Sequence, residues 1–138
     1  MRKTTLTLGY TAGILVLLSA AAHMLLGWSG MRTELGKAGA PAELIDGVQM
    51  GWQFGGVAMI VFAAIIFAAF QAYRRGQPLQ ALPPQAIGLG YVLYGLAQWL
   101  FAGSGPFALV FILPGGLLLT AARLAAAPRT GHPPADTA

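Results

Sequence analysis

The chain has 138 residues, of which 57% are hydrophobic and only 9% charged, and its mean hydropathy is +0.67. A soluble domain carries about a quarter charged residues, so this composition belongs to a membrane and leaves no room for a separate aqueous domain. Cysteine is absent, which excludes thiolate nucleophiles, iron–sulfur clusters and Cys-ligated zinc. The net charge of +4 lies in pairs beside helix ends, not on a contiguous basic face, and argues against nucleic acid as a partner.

Four apolar stretches are expected to cross the bilayer as helices, at residues 6–27, 48–73, 84–102 and 106–126. None has an acid or base deep inside it, and each approaches the roughly 20 helical residues that the hydrocarbon layer requires. The first follows Arg2 and Lys3, and Ala20-Ala21-Ala22 offers small residues of the kind found at signal-peptide cleavage sites. Its apolar run nevertheless continues through Leu25 and Leu26 to Trp28, so an uncleaved span is expected. Gly9 and Gly13 are four apart on this helix, and Ser19, His23 and Gly27 share one face.

A polar segment, 28–47, separates the first two spans, and Pro41 with Glu43 and Asp46 close behind reads as a helix start. The second span carries Gly47, Gly51 and Gly55 in a double four-residue spacing, with Gln49 and Gln53 in the same outer turns. The third opens at Pro83-Pro84, carries Gly88 and Gly95 seven apart, and lines Tyr91, Tyr94, Gln98 and Phe101 along one stripe. The fourth begins after Gly103-Ser104-Gly105, a link so short that the third and fourth helices must be antiparallel neighbours. Pro114 falls inside it and predicts a kink near Leu113, either a static bend or a hinge. Apolar side chains gain little by leaving lipid for one another, so the small residues Gly9, Gly13, Gly47, Gly51, Gly55, Gly88 and Gly95 are the expected packing faces. The Pro- and Thr-rich tail at 128–138 is expected to be disordered, leaving 1–127 as one four-span domain.

Six basic residues (Arg2, Lys3, Arg74, Arg75, Arg123, Arg129) fall on one side of these spans, and Arg32 and Lys37 on the other. The positive-inside rule then predicts an all-α, four-helix transmembrane bundle in a bacterial inner membrane, with both termini cytoplasmic. At about 1.5 Å per residue, His23, Gln49, Gln53, Tyr94 and Gln98 fall in one layer just inside the outer surface, together with Trp28, Trp52 and Trp99. If their faces converge, they form an outward pocket. The competing readings are plainer: an aromatic belt for the tryptophans, interhelical glue for the glutamines, and a hydrogen-bonded structural role for His23.

The absence of an intramembrane carboxylate argues against a small carboxylate-driven proton antiporter, and one embedded histidine is too few for a haem bridged between helices. His23 and Met24 do not make a metal site, no hydrolytic triad is spaced for catalysis, and the second histidine, His132, lies in the tail. No cofactor is identified. The favoured expectation is a non-enzymatic structural or accessory subunit, packing against itself or a larger membrane partner. The alternatives are a binder of a small apolar molecule, lipid or quinone, around His23, and a homo-oligomeric transporter or channel.

Overall fold

The computed structural model describes residues 2–126, and among these every element is helical, with no strand. The first helix, α1 (Arg2–Ala22), widens into a π-helical turn (His23–Gly27) and continues without a break into α2 (Trp28–Lys37). After a short turn come α3 (Ala42–Arg74) and α4 (Leu82–Phe101), and a 3-10 turn (Gly105–Ala108) leads into α5 (Leu109–Ala126). The expected helix start at Pro41 is where α3 begins, with Pro41 extended at φ −65° and ψ 153° as its cap. The 128–138 tail lies outside the described residues.

Local chemistry sets the ends of these helices. Gly39 and Gly76 have φ of +70° and +98°, a left-handed conformation that costs glycine nothing. Each lets the next N–H reach back over five residues, from Ala40 to the Leu35 carbonyl and from Gln77 to the Ala72 carbonyl. This Schellman closure satisfies carbonyls that a helix otherwise leaves open at its end. At the far end of α3, the Arg2 guanidinium donates to the carbonyls of Tyr73 (2.9 Å) and Arg74 (2.6 Å) and lies over the Tyr73 ring. A cation there meets the negative end of the helix dipole and ties the start of α1 to the end of α3.

Three segments are long and apolar enough to cross a membrane: Arg2–Lys37, Ala42–Arg74 and Gly105–Ala126. Helix α4 has 20 residues but carries two prolines and two glutamines, which lower its hydropathy. Large apolar side chains cover the outside, among them Met50 (76% exposed) and Phe101 (86% exposed). A water-soluble monomer rarely leaves so much contiguous apolar surface uncovered, whereas lipid covers it at no cost.

The helices form two hairpins. In the first, α1 runs antiparallel to α3, with Gly9 against the Phe70 ring, Gly13 against the Phe67 ring and Gly56 against Met24. In the second, α4 and α5 meet backbone to backbone. A Cβ on Gly115 would stand 2.6 Å from the Gly88 carbonyl oxygen, and one on Gly95 would stand 3.0 Å from that of Ala108. The expected antiparallel pairing of these two helices is therefore present.

The hairpins join along α1 and α5, while α3 and α4 touch far less. The buried core lies toward the Arg2 and Arg74 end, from Ala12 and Val16 of α1, Ala63, Ile66 and Phe70 of α3, and Leu118 and Ala121 of α5. Tyr91, midway along α4, closes it. Toward the other end the bundle opens.

The glycines differ in what they do. Gly47 and Gly51 face open space, with no atom within 4 Å of a would-be Cβ, so among the described residues they pack against no other helix. Gly116 is equally open, whereas Gly115 is wedged. Gly115→Ala is expected to cost roughly 1–3 kcal/mol through overpacking, and Gly116→Ala to be neutral or stabilising by up to about 1 kcal/mol. Thermal unfolding in detergent checks this, and equal midpoints for the two variants would contradict the hairpin contact.

Candidate functional site

The site begins with the backbone at His23–Gly27. In a π turn the N–H reaches back five residues instead of four, and here Trp28 N–H bonds the His23 carbonyl. The wider turn leaves carbonyls with spare acceptor capacity, and α3 uses two of them. Trp52 Nε1–H donates to the His23 carbonyl at 2.7 Å, and Gln53 Nε2–H donates to the Met24 carbonyl at 3.3 Å. π turns of this kind are often found at functional sites.

His23 answers in kind. Its Nε2 lies 3.0 Å from the Trp52 carbonyl, and since a carbonyl only accepts, Nε2 carries the proton and donates. In the neutral ring the lone pair is then on Nδ1, which has no hydrogen-bond partner among the described residues. The imidazole stacks on the Trp52 indole with centroids 4.4 Å apart and planes 2° from parallel. Two glycines make room for the pair. A Cβ on Gly27 would meet Trp52 Cζ2 at 2.8 Å, and one on Gly55 would meet His23 Nε2 at 3.3 Å.

Beside this clasp lies a cavity of about 1100 Å³ between α1, α3, α4 and α5. Its walls are mainly apolar: Leu15, Leu18 and Leu26 from α1, Met59 from α3, and Phe107, Phe111, Leu113 and Pro114 from the α5 side. Its few polar lining groups are Ser19, His23, Trp52, Tyr94 and Gln98. The Tyr94 ring meets Phe111 edge to face at 4.8 Å, and Phe111 also touches Phe107 and Tyr91. The cavity is open along the side where Leu18, Leu26, Tyr94 and Phe107 are exposed, and a mainly apolar recess with a few polar groups is a form that small-molecule sites take.

Four of the residues singled out from the sequence (His23, Trp52, Tyr94, Gln98) therefore line one cavity. Gln53 and Trp28 adjoin it through the π turn, and Trp28 is buried. Gln49 is half-buried and lines no part of the cavity, and Trp99 is 47% exposed on the outside of the bundle. Pro114 sits buried within α5, and its missing N–H leaves the Val110 carbonyl without its helical partner on the cavity wall.

Sequence reasoning missed the π turn, the pairing of His23 with Trp52, and the α5 wall. The pairing left one legible trace: Gly27 and Gly55 stand at small-residue positions facing the two rings. Among the described residues no group of three or more His, Cys, Asp or Glu is placed to hold a metal ion. No protein-family model matches the chain, and no curated protein or solved structure is significantly similar to it.

Trp52→Phe keeps an aromatic ring but removes the Nε1 donor, and is expected to cost about 1 kcal/mol. Trp52→Ala combined with His23→Ala should cost less than the sum of the two single changes, because each single change already removes the shared ring stack. Unfolding free energies that simply add would mean that the two residues act independently.

Proposed function

We propose that the chain is a four-span inner-membrane protein that holds a small apolar molecule in the chamber beside His23. The observation that carries this reading is the chamber itself. It is large enough for a drug-sized or lipid-like molecule, and its walls are apolar apart from a few polar groups that include His23. An unpaired imidazole Nδ1 would accept a hydrogen bond from a ligand hydroxyl, and the Gln98 amide and Tyr94 hydroxyl can each donate or accept. Nothing in this arrangement requires bond-making chemistry, and binding or carriage suffices as the activity.

Helix α4 is taken as the fourth crossing. Its 20 residues span about 30 Å. It also lies along α5 from Gly88 to Gly95, so a bilayer crossed by α5 is crossed by its partner. The basic residues at the Arg2 and Arg74 end support a cytoplasmic position for both termini, and open the chamber toward the exoplasmic half. With no native cysteine, single-cysteine variants at Lys37 and Arg74 give a clean labelling test. Lys37 is expected to react from outside and Arg74 from inside; labelling of both from one compartment would refute the topology.

A second reading, assembly with another copy or a larger membrane partner, is favoured by one observation. Gly47 and Gly51 form a small-residue face that nothing among the described residues covers. Native mass spectrometry separates the two readings. His23→Ala or Gln98→Ala should lower ligand retention about tenfold, the effect of losing one hydrogen bond worth about 1.4 kcal/mol. Gly51→Leu should leave retention unchanged. If both cavity variants keep the ligand while Gly51→Leu changes the stoichiometry, the assembly reading takes its place.

A further inference from the structure

Two basic pairs that are far apart in sequence, Arg2-Lys3 and Arg74-Arg75, are brought together by the α1–α3 hairpin. The joint between them is the Arg2 guanidinium, whose Nη2 donates to the carbonyls of both Tyr73 and Arg74. Its Nε and Nη1 have no partner among the described residues. The side chains of Lys3, Arg74 and Arg75 have none either, and all four residues are exposed.

The charge here is one-sided. The acids among the described residues, Glu34, Glu43 and Asp46, all lie at the opposite end of the hairpin. The ion pair among the described residues, Lys37 with Glu34, is at that end as well. Four cations therefore meet at the α1–α3 joint with no carboxylate to neutralise them.

A helix C-terminus ordinarily repels an anion, because its last carbonyls point outward unpaired. In α3 those carbonyls are already occupied. Gln71 and Ala72 accept from the Arg75 N–H, and Ala72 accepts from Gln77 as well. Tyr73 accepts from Gly76 and Arg2, and Arg74 from Arg2. What the joint turns outward is a set of cationic donors.

Its level selects the ligand. The joint lies where the apolar segment Ala42–Arg74 ends and Arg2–Lys37 begins, at the edge of the hydrocarbon layer. The anions concentrated at that level are phospholipid phosphates. Basic residues at helix ends also orient a chain in the bilayer, but orientation needs neither a pinned guanidinium nor covered carbonyls.

We propose that the α1–α3 joint binds the head-group phosphate of an anionic phospholipid through Arg2, Lys3, Arg74 and Arg75. Arg2 is pinned by its two carbonyls and by the Tyr73 ring, so it offers N–H donors at a fixed place, and the other three add charge. The assignment rests on the chain spanning a membrane and is independent of what the chamber holds.

The test titrates the full chain, in uncharged detergent, with fluorescent phosphatidylglycerol or phosphatidylcholine and follows anisotropy. Phosphatidylglycerol should bind about tenfold more tightly. Arg74→Gln and Arg75→Gln should each weaken it about fivefold and leave phosphatidylcholine unchanged. The Arg74 carbonyl that Arg2 holds is kept in the variant, so the thermal midpoint should not fall. Arg123 stands at the same end on α5, across α1 from α3, and Arg123→Gln should change the affinity less than about twofold. Inorganic phosphate should displace the lipid no better than chloride at equal ionic strength.

Equal losses from Arg74→Gln and Arg123→Gln would reveal a diffuse field in place of a site and overturn the assignment. So would equal affinity for the two lipids, or displacement specific to phosphate. If His23→Ala abolishes binding of both lipids while Arg74→Gln changes neither, the lipid sits in the chamber; this inference then fails and the chamber reading stands.

Discussion

Close approach of helix backbones at glycine is what the rest of this molecule depends on. Hydrocarbon removes the usual reward for burying leucine against leucine, so helices associate where small residues let backbones and ring faces meet. Gly88, Gly95 and Gly115 seat α4 on α5, and Gly9, Gly13 and Gly56 seat α1 on α3. Each hairpin is closed along much of its length. The bundle then has one main seam between hairpins, α1 against α5, and along the remaining side α3 and α4 stand apart.

That unequal closure divides the protein along its length. Toward Arg2 and Arg74 the seam is filled by Val16, Ile66, Phe70 and Leu118, and nothing of appreciable size could enter. Toward Trp28 the α5 side presents Phe107, Phe111 and Pro114 across a gap from α1, and the chamber occupies the space between. Solid packing at one end holds the helices in register, and at the other end the helices leave the cavity between them. Dispersion and packing stabilise the first half, while at the second a few directional bonds fix the helix α1–α3 contact.

Those directional bonds are concentrated at the π turn. One inserted residue's worth of backbone frees carbonyl capacity, and Trp52 and Gln53 take it up from the facing helix. His23 returns a hydrogen bond to the Trp52 carbonyl, so two helices exchange side-chain-to-backbone bonds in both directions. The exchange also places a proton on Nε2, so that in the neutral imidazole Nδ1 is the acceptor. A residue that reads from the sequence as an isolated histidine becomes, in three dimensions, half of an aromatic pair with a defined proton position.

Much of the architecture was legible in the chain. Hydropathy and length marked the apolar helices, proline marked the start of α3 at Pro41, and a three-residue link required α4 and α5 to be antiparallel. Depth along each helix put His23, Trp52, Tyr94 and Gln98 at one level, because rise per residue is a local property, and all four line one cavity. Which faces meet is not local. It depends on the rotation of each helix about its axis, and the π turn at His23–Gly27 shifts that rotation with no proline or glycine pair to announce it. For that reason the sequence by itself determined the helices and the level of the candidate site. Only the tertiary structure decided that Trp52 pairs with His23 and that, among the described residues, Gly47 and Gly51 stay uncovered and the Tyr91 hydroxyl is buried without a partner.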